Sequence, residues 1–165
     1  MSKARYSAAL AAASLALSAC SSWTGPLFGP DQVIEVSEVG RALDCAAASP
    51  DSSVQMFDSA DAVRAWQQGS GAQLIGDQSM LAGSYVLVQL GQRKTGGYGL
   101  LIGPEAQVDN QRVRLHGTFF EPDVDGAATE VLNSPCVLLR LPAGPWRGID
   151  LYDQAGKRRA WTARS

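Results

Sequence analysis

Tyr85-Val86-Leu87-Val88-Gln89-Leu90 is a nearly continuous apolar run, short enough for a strand and too unbroken for one that wets a face. Such a run suits a strand covered on both sides. Downstream, Tyr98 to Ile102 reads as a second strand. Arg112-Val113-Arg114-Leu115-His116 alternates, which sends Val113, Leu115 and Phe119 to one face and Arg112, Arg114 and His116 to the other. Val137, Leu139 and Leu141 alternate with Leu138 and Arg140, Ile149 and Leu151 with Asp150 and Tyr152, and Trp161 falls in a last strand. Short strands separated by Gly, Pro, Asn and Asp turns predict a mainly β fold: a small β-sandwich or open barrel of antiparallel strands with one short helix.

That helix lies upstream. In Asp58-Ser59-Ala60-Asp61-Ala62-Val63-Arg64-Ala65-Trp66, Ser59 can cap the start and Asp61 favours its positive end. Val63 and Trp66 share a face, and Gly69 and Gly71 end the helix. Trp66 is expected to anchor the helix on a sheet. Val33 to Val36 and Val54 to Phe57 read as strands, with Pro50-Asp51-Ser52-Ser53 a turn.

At the N-terminus, Lys3 and Arg5 precede a short apolar run from Ala8 to Leu17, the layout of a secretory signal and too short for a spanning helix. Leu17-Ser18-Ala19-Cys20 resembles the bacterial lipobox. The resemblance implies cleavage before Cys20, a lipid on its thiol and, with Ser21 and not Asp next, the outer membrane's periplasmic face. Several acyl chains anchor stably where one does not. The expected organisation is a signal peptide over 1–19, a lipidated cysteine and Ser/Gly/Pro-rich tether over 20–30, and a single β domain over 31–162.

The 165 residues carry 14 Lys and Arg against 16 Asp and Glu, and loss of Lys3 and Arg5 with the leader lowers the cations to 12, a net of −4. A mildly acidic chain without a long basic run has no electrostatic footprint for nucleic acid. With Cys20 assigned to lipid, Cys45 and Cys136 remain. An oxidising compartment favours a disulfide between them; two separately buried thiols are the alternative. One histidine and two distant thiols argue against a metal site, and no cofactor is expected.

Between the two strands lies Gly91-Gln92-Arg93-Lys94-Thr95-Gly96-Gly97-Tyr98-Gly99-Leu100. Gly96-Gly97 suits a tight hairpin that needs positive φ. The absence of GxGxxG and of Walker spacing excludes a phosphate cradle. The stretch resembles the PrcB C-terminal-like family, in which a hydrophobic strand is followed by a small polar residue, Gly-Gly-Tyr and another strand. Val86 to Gly91, Thr95-Gly96-Gly97-Tyr98 and Leu100-Leu101-Ile102 match that order, and Ser134 to Pro142 resembles the family's later strand. The resemblance covers about Asp58 to Lys157. It implies a lipoprotein that accompanies a protease or another envelope protein and supports its assembly without being a catalyst.

Signals for catalysis are weak. His116 sits on an alternating strand, no Gly-x-Ser-x-Gly elbow is present, and Asp123 and Asp125 form only a fragment of a calcium loop. The chain is expected not to be an enzyme. Lys94-Thr95-Gly96-Gly97-Tyr98 and Gly144-Pro145-Trp146 also resemble, in order, loops of the chagasin-type cysteine peptidase inhibitors. That alternative requires the two loops to stand together at one end of a sandwich, with Tyr98 and Trp146 as anchors.

Overall fold

The computed structural model describes residues 32–76, 80–123 and 129–164. The leader, Cys20, the tether and Asp125 lie outside the described residues. Ten strands and one helix follow in the order β1 (Gln32–Glu35), β2 (Ser37–Ala42), β3 (Ser53–Phe57), α1 (Ala60–Ser70), β4 (Ser84–Gln89), β5 (Gly99–Ile102), β6 (Glu105–Asp109), β7 (Arg112–Phe120), β8 (Cys136–Leu141), β9 (Gly148–Tyr152) and β10 (Arg158–Ala163). They form a β-sandwich. One sheet runs β1-β6-β7-β9-β10 with β5 also on β7; the other runs β2-β8-β4-β3.

The apolar run 85–90 is buried on both faces. Val86, Val88 and Leu90 meet Val137, Leu139, Leu141, Val113, Leu115, Ile149 and Leu151 between the sheets. Tyr85 and Leu87, with Leu138, face the other way, onto Val63 of α1, Leu74 and Ile75. The helix thus forms a third layer over the β2-β8-β4-β3 sheet, which explains why β4 and β8 read as nearly unbroken apolar runs. Ser59 caps α1 by accepting the Ala62 N–H at 3.2 Å, and Gly71 ends it in the left-handed region. Trp66 packs tilted against Phe57, ring centres 6.0 Å apart, on that same side.

Strand β7 shows the predicted alternation, with Val113, Leu115 and Phe119 inward. Its outer face is uncovered: Val33, Gln107, Arg114, Asp150 and Trp161 align across five strands. Arg112 donates to both Asp150 oxygens at 2.8 and 2.9 Å.

Three expectations need correction. Strands β2 and β6 were not foreseen, because neither Ser37–Ala42 nor Glu105–Asp109 carries a strong apolar pattern; each is held by its neighbour's ladder. The pairing is not wholly antiparallel, since β9 runs parallel to β7. The chain reaches that register by crossing to the other sheet through β8, the long connection a parallel pair requires. Finally, Gly96-Gly97 does not close a hairpin. Strand β4 belongs to one sheet and β5 to the other, so Gly91–Tyr98 is a crossover between sheets.

Candidate functional site

The crossover closes one end of the sandwich, where β4, β7 and β9 finish and β3, β5, β8 and β10 begin. Its geometry is set by backbone approach. Gly91 turns at φ 87°, and a Cβ there would lie 2.6 Å from the Asp51 carbonyl oxygen. Gly97 turns at φ 89°, against Pro122. Both angles are easy for glycine and strained for other residues. Positive φ was expected at Gly96 as well; the left-handed positions are instead Gly91 and Gly97.

Arg93 staples the loop. Its Nη1 donates to the Pro50 carbonyl at 2.7 Å and its Nη2 to the Leu90 carbonyl at 2.6 Å, while its guanidinium lies 5.3 Å from the Tyr98 ring centre. The Arg93 and Asn133 backbones exchange hydrogen bonds at 2.7 and 3.0 Å. Asn133 Nδ2 donates to the Thr95 carbonyl at 3.0 Å, and the Gly96 N–H donates to the Thr129 carbonyl at 2.9 Å. A second set of bonds ties the neighbouring loop in. Ser134 Oγ donates to Asp44 and accepts the Cys45 N–H at 2.9 Å, which holds the Asp44 carboxyl below its ordinary range, with help from the Ala46 N–H. The Cys45–Cys136 disulfide joins the same two segments, with Cα atoms 6.0 Å apart, resolving the alternative of two free thiols.

Tyr98 is half-buried, packed on the inter-sheet core, and borders two hollows. One, of about 500 Å³, is also lined by Asp51, Arg93, Glu121, Lys157, Arg158 and Arg159. The other, of about 160 Å³, is lined by Arg41 as well as Leu43, Leu100 and Pro135. Five of the eight exposed large apolar side chains among the described residues belong to segments meeting here: Leu43, Leu101, Phe120, Val131 and Leu132. Exposed apolar surface gathered in one region marks an interaction site better than isolated side chains do.

Trp146 is elsewhere. Gly99 pairs with Phe120 at one end of β7, whereas Gly148 pairs with Arg112 at the other. Eight strand steps of about 3.3 Å separate those ends by roughly 26 Å. Trp146 is also 5% exposed, its Nε1 donating to the Pro142 carbonyl at 2.8 Å. It is a lid on the core. A Cβ on Gly144 would run into its indole ring, so no larger residue could stand at this position without moving Trp146. Tyr98 and Trp146 therefore do not form one binding edge, and the chagasin-type arrangement is overturned by the topology.

Of the residues singled out in the sequence, Thr95, Gly96, Gly97 and Tyr98 are brought together with Cys45 and Cys136; Trp146 is not. His116 is exposed and stacks on Tyr152 with centres 5.6 Å apart. No group of three or more His, Cys, Asp or Glu among the described residues is arranged to hold a metal ion. Sequence reasoning missed Leu43, the Asp44–Ser134 pair and the Lys157–Arg159 triplet. Only the triplet had a local signal, three consecutive cations in an acidic chain.

No curated protein and no solved structure matches the chain. The family model of the PrcB C-terminal matches residues 84–142, a narrower span than Asp58–Lys157. The match runs from the start of β4 to the residue after β8, with the Arg93–Tyr98 staple and the Ser134–Pro142 strand inside it. The segment from β4 through β8, with the crossover near its start, is similar to the PrcB C-terminal family.

Proposed function

We propose that this chain is a non-catalytic, protein-binding module held by a lipid on Cys20 at the periplasmic face of a bacterial outer membrane, serving as an accessory subunit of a protease complex. The observation that carries the binding role is the end of the sandwich around Tyr98. Within the PrcB-like segment, a crossover held by the hydrogen bonds of Arg93 and Asn133 borders two hollows, and segments with exposed apolar side chains meet at the same end. A loop fixed by Arg93, Asn133 and a disulfide loses little freedom on binding, which favours affinity. Aromatic and arginine side chains are the usual anchors of such surfaces. The lipid anchor is supported by the lipobox-like Leu17-Ser18-Ala19-Cys20.

The anchor and the partner are tested separately. Cys20→Ala should abolish incorporation of a fatty-acid analogue in growing cells, and label persisting in the variant would refute the lipid assignment. Affinity purification of the full chain should recover a protease, and Tyr98→Ala should reduce that recovery. Repeated purifications without a protease would remove the accessory role.

A further inference from the structure

Strand β5 is paired along one edge only, with β7. The N–H and C=O of Phe119 on β7 are both taken by Gln154, so Phe119 and Leu100, directly opposite, form a non-hydrogen-bonded pair. The Leu100 N–H and C=O therefore point away from β7, and by the two-residue period those of Ile102 do too. Gly103, of the other parity, donates its N–H to the His116 carbonyl of β7 at 2.9 Å. Further along the same edge β1 supplies a partner. It pairs with β6, and the Val36 N–H reaches the Pro104 carbonyl at 2.7 Å. There the chain turns away as β2 and pairs with β8 in the other sheet. Among the described residues no strand continues the line of β1 along Gly99–Ile102.

Arg41 of β2 crosses this opening. Its Nη1 donates to the Leu100 carbonyl at a long 3.5 Å, while its Nε and Nη2 hold the Glu38 carboxylate at 2.7 and 2.6 Å. A side chain thus stands where the amide of a neighbouring strand would donate. Charged side chains placed at an unpaired edge are a usual guard against stray strand pairing. Beside Arg41, the smaller hollow is lined by Leu43, Tyr98, Leu100 and Pro135, with Leu43 78% exposed. We infer that β5 receives an extended segment of a partner protein as an added strand, with Arg41 displaced from the Leu100 carbonyl. The occupant follows from the chemistry of the edge: backbone donors and acceptors spaced two residues apart are matched by another strand, and adjacent pockets select its side chains. The segment pairs with Leu100 and Ile102 and places one apolar side chain against Leu43, Leu100 and Pro135. It needs no acidic residue, since Glu38 already neutralises Arg41. The chain's own leading segment enters at the far end of this edge, where Gln32 pairs with Val108, about 26 Å along the strand from Leu100, which favours a separate chain as the occupant. This rests on the reading of the chain as a protein-binding module and names what that module recognises.

The probe is a set of nonapeptides selected from a phage-displayed random library on the full chain. Alternating apolar residues without proline in the bound stretch are expected. Methylating the peptide amides that face β5 should weaken binding about tenfold, and methylating those between should not, because only every second N–H enters the ladder. In hydrogen exchange, bound peptide should slow the Leu100 and Ile102 amides. Leu43→Asp, at an exposed position, should lower affinity about tenfold at unchanged melting temperature by burying a charge against the peptide, and Arg41→Ala should raise affinity by removing the competing donor. Absence of any enriched peptide, indifference to methylation at every position, unmoved exchange at Leu100 and Ile102, or affinity unmoved by Leu43→Asp would overturn the proposal. So would protection of both amides in the free chain: at every concentration it means that a segment of the same chain covers the edge, and rising with concentration it means a second copy. The two readings fail distinguishably. A protease recovered equally well by Leu43→Asp and wild type keeps the module and removes this edge. Peptide binding at β5 without a recoverable protease keeps the edge and removes the accessory role.

Discussion

At Gly91 the chain turns with φ 87° while the Pro50 and Asp51 carbonyls close on the space where a Cβ would stand. Two independent costs therefore meet in Gly91→Ala: a left-handed backbone and a collision with main chain that cannot rotate away. Together they are expected to destabilise the protein by about 2–4 kcal/mol, read as a lower midpoint in urea at unchanged slope. Gly97→Ala shares the backbone cost but meets the Pro122 ring carbon at 2.9 Å, so the smaller loss belongs there. A Gly91→Ala protein as stable as the wild type would show that the crossover is not held as described. Tyr98 is half-buried and braced by Arg93, and Tyr98→Ala should cost about 2 kcal/mol, less than a fully buried aromatic. A binding defect in that variant is informative only beside its melting curve.

At the scale of elements, the parallel pairing of β7 and β9 brings Arg112 and Asp150 together on the uncovered face of the sheet. The Arg112 guanidinium, donating to both carboxylate oxygens, holds Asp150 below the usual carboxylate range despite its burial, and Arg158 adds to the effect. A carboxyl depressed in the folded state binds protons more readily unfolded. The stability it contributes is complete above about pH 4, the ordinary value, and is lost as pH falls through the depressed one. Acid titration of the melting temperature should therefore show a decline below about pH 4 that is shallower in Asp150→Asn. Above pH 5 that variant should be less stable by about 1–2 kcal/mol, since Arg112 is a third exposed and water screens part of the pair. Equal acid slopes in the two proteins would show that the β7–β9 pair does not depend on this ion pair. Gln154 extends the same ladder: its Oε1 accepts the Phe119 N–H at 3.0 Å and its Nε2 donates to the Phe119 carbonyl at 3.2 Å, standing in for the strand β9 no longer provides.

Across the whole molecule, the Cys45–Cys136 disulfide closes a loop of 91 residues and ties the segment after β2 to the start of β8, at the end that carries the crossover. In the chain-entropy picture a closure of that length stabilises by about 4–5 kcal/mol. The double variant Cys45→Ser, Cys136→Ser should lose about 2–5 kcal/mol in denaturant unfolding. Because both sulfurs sit in the cluster beneath α1, part of that loss is the burial of two hydroxyls where apolar groups packed. A double variant with unchanged stability would remove the disulfide as a brace of this end.

The residue pattern alone determined the mainly β fold, α1 with its Ser59 cap, the inward set of β7 and the two-sided burial of β4, because each is written in the period of apolar side chains over a few residues. The short Thr95–Tyr98 motif likewise sufficed to suggest the PrcB-like segment. What tertiary structure decided is which strands share a sheet. That choice turned Gly96-Gly97 from a hairpin into a crossover, made β9 parallel to β7, and recruited β2 and β6, whose own side chains say little. It also put Trp146 about a strand's length from Tyr98, although the two motifs follow each other in the order a shared binding edge would need. Pairing partners are set by the summed burial of two sheets and a helix, a property of no local window. For the same reason Leu43, Ser134 and Lys157 entered the candidate site only once the chain had brought residues more than a hundred positions apart to one end.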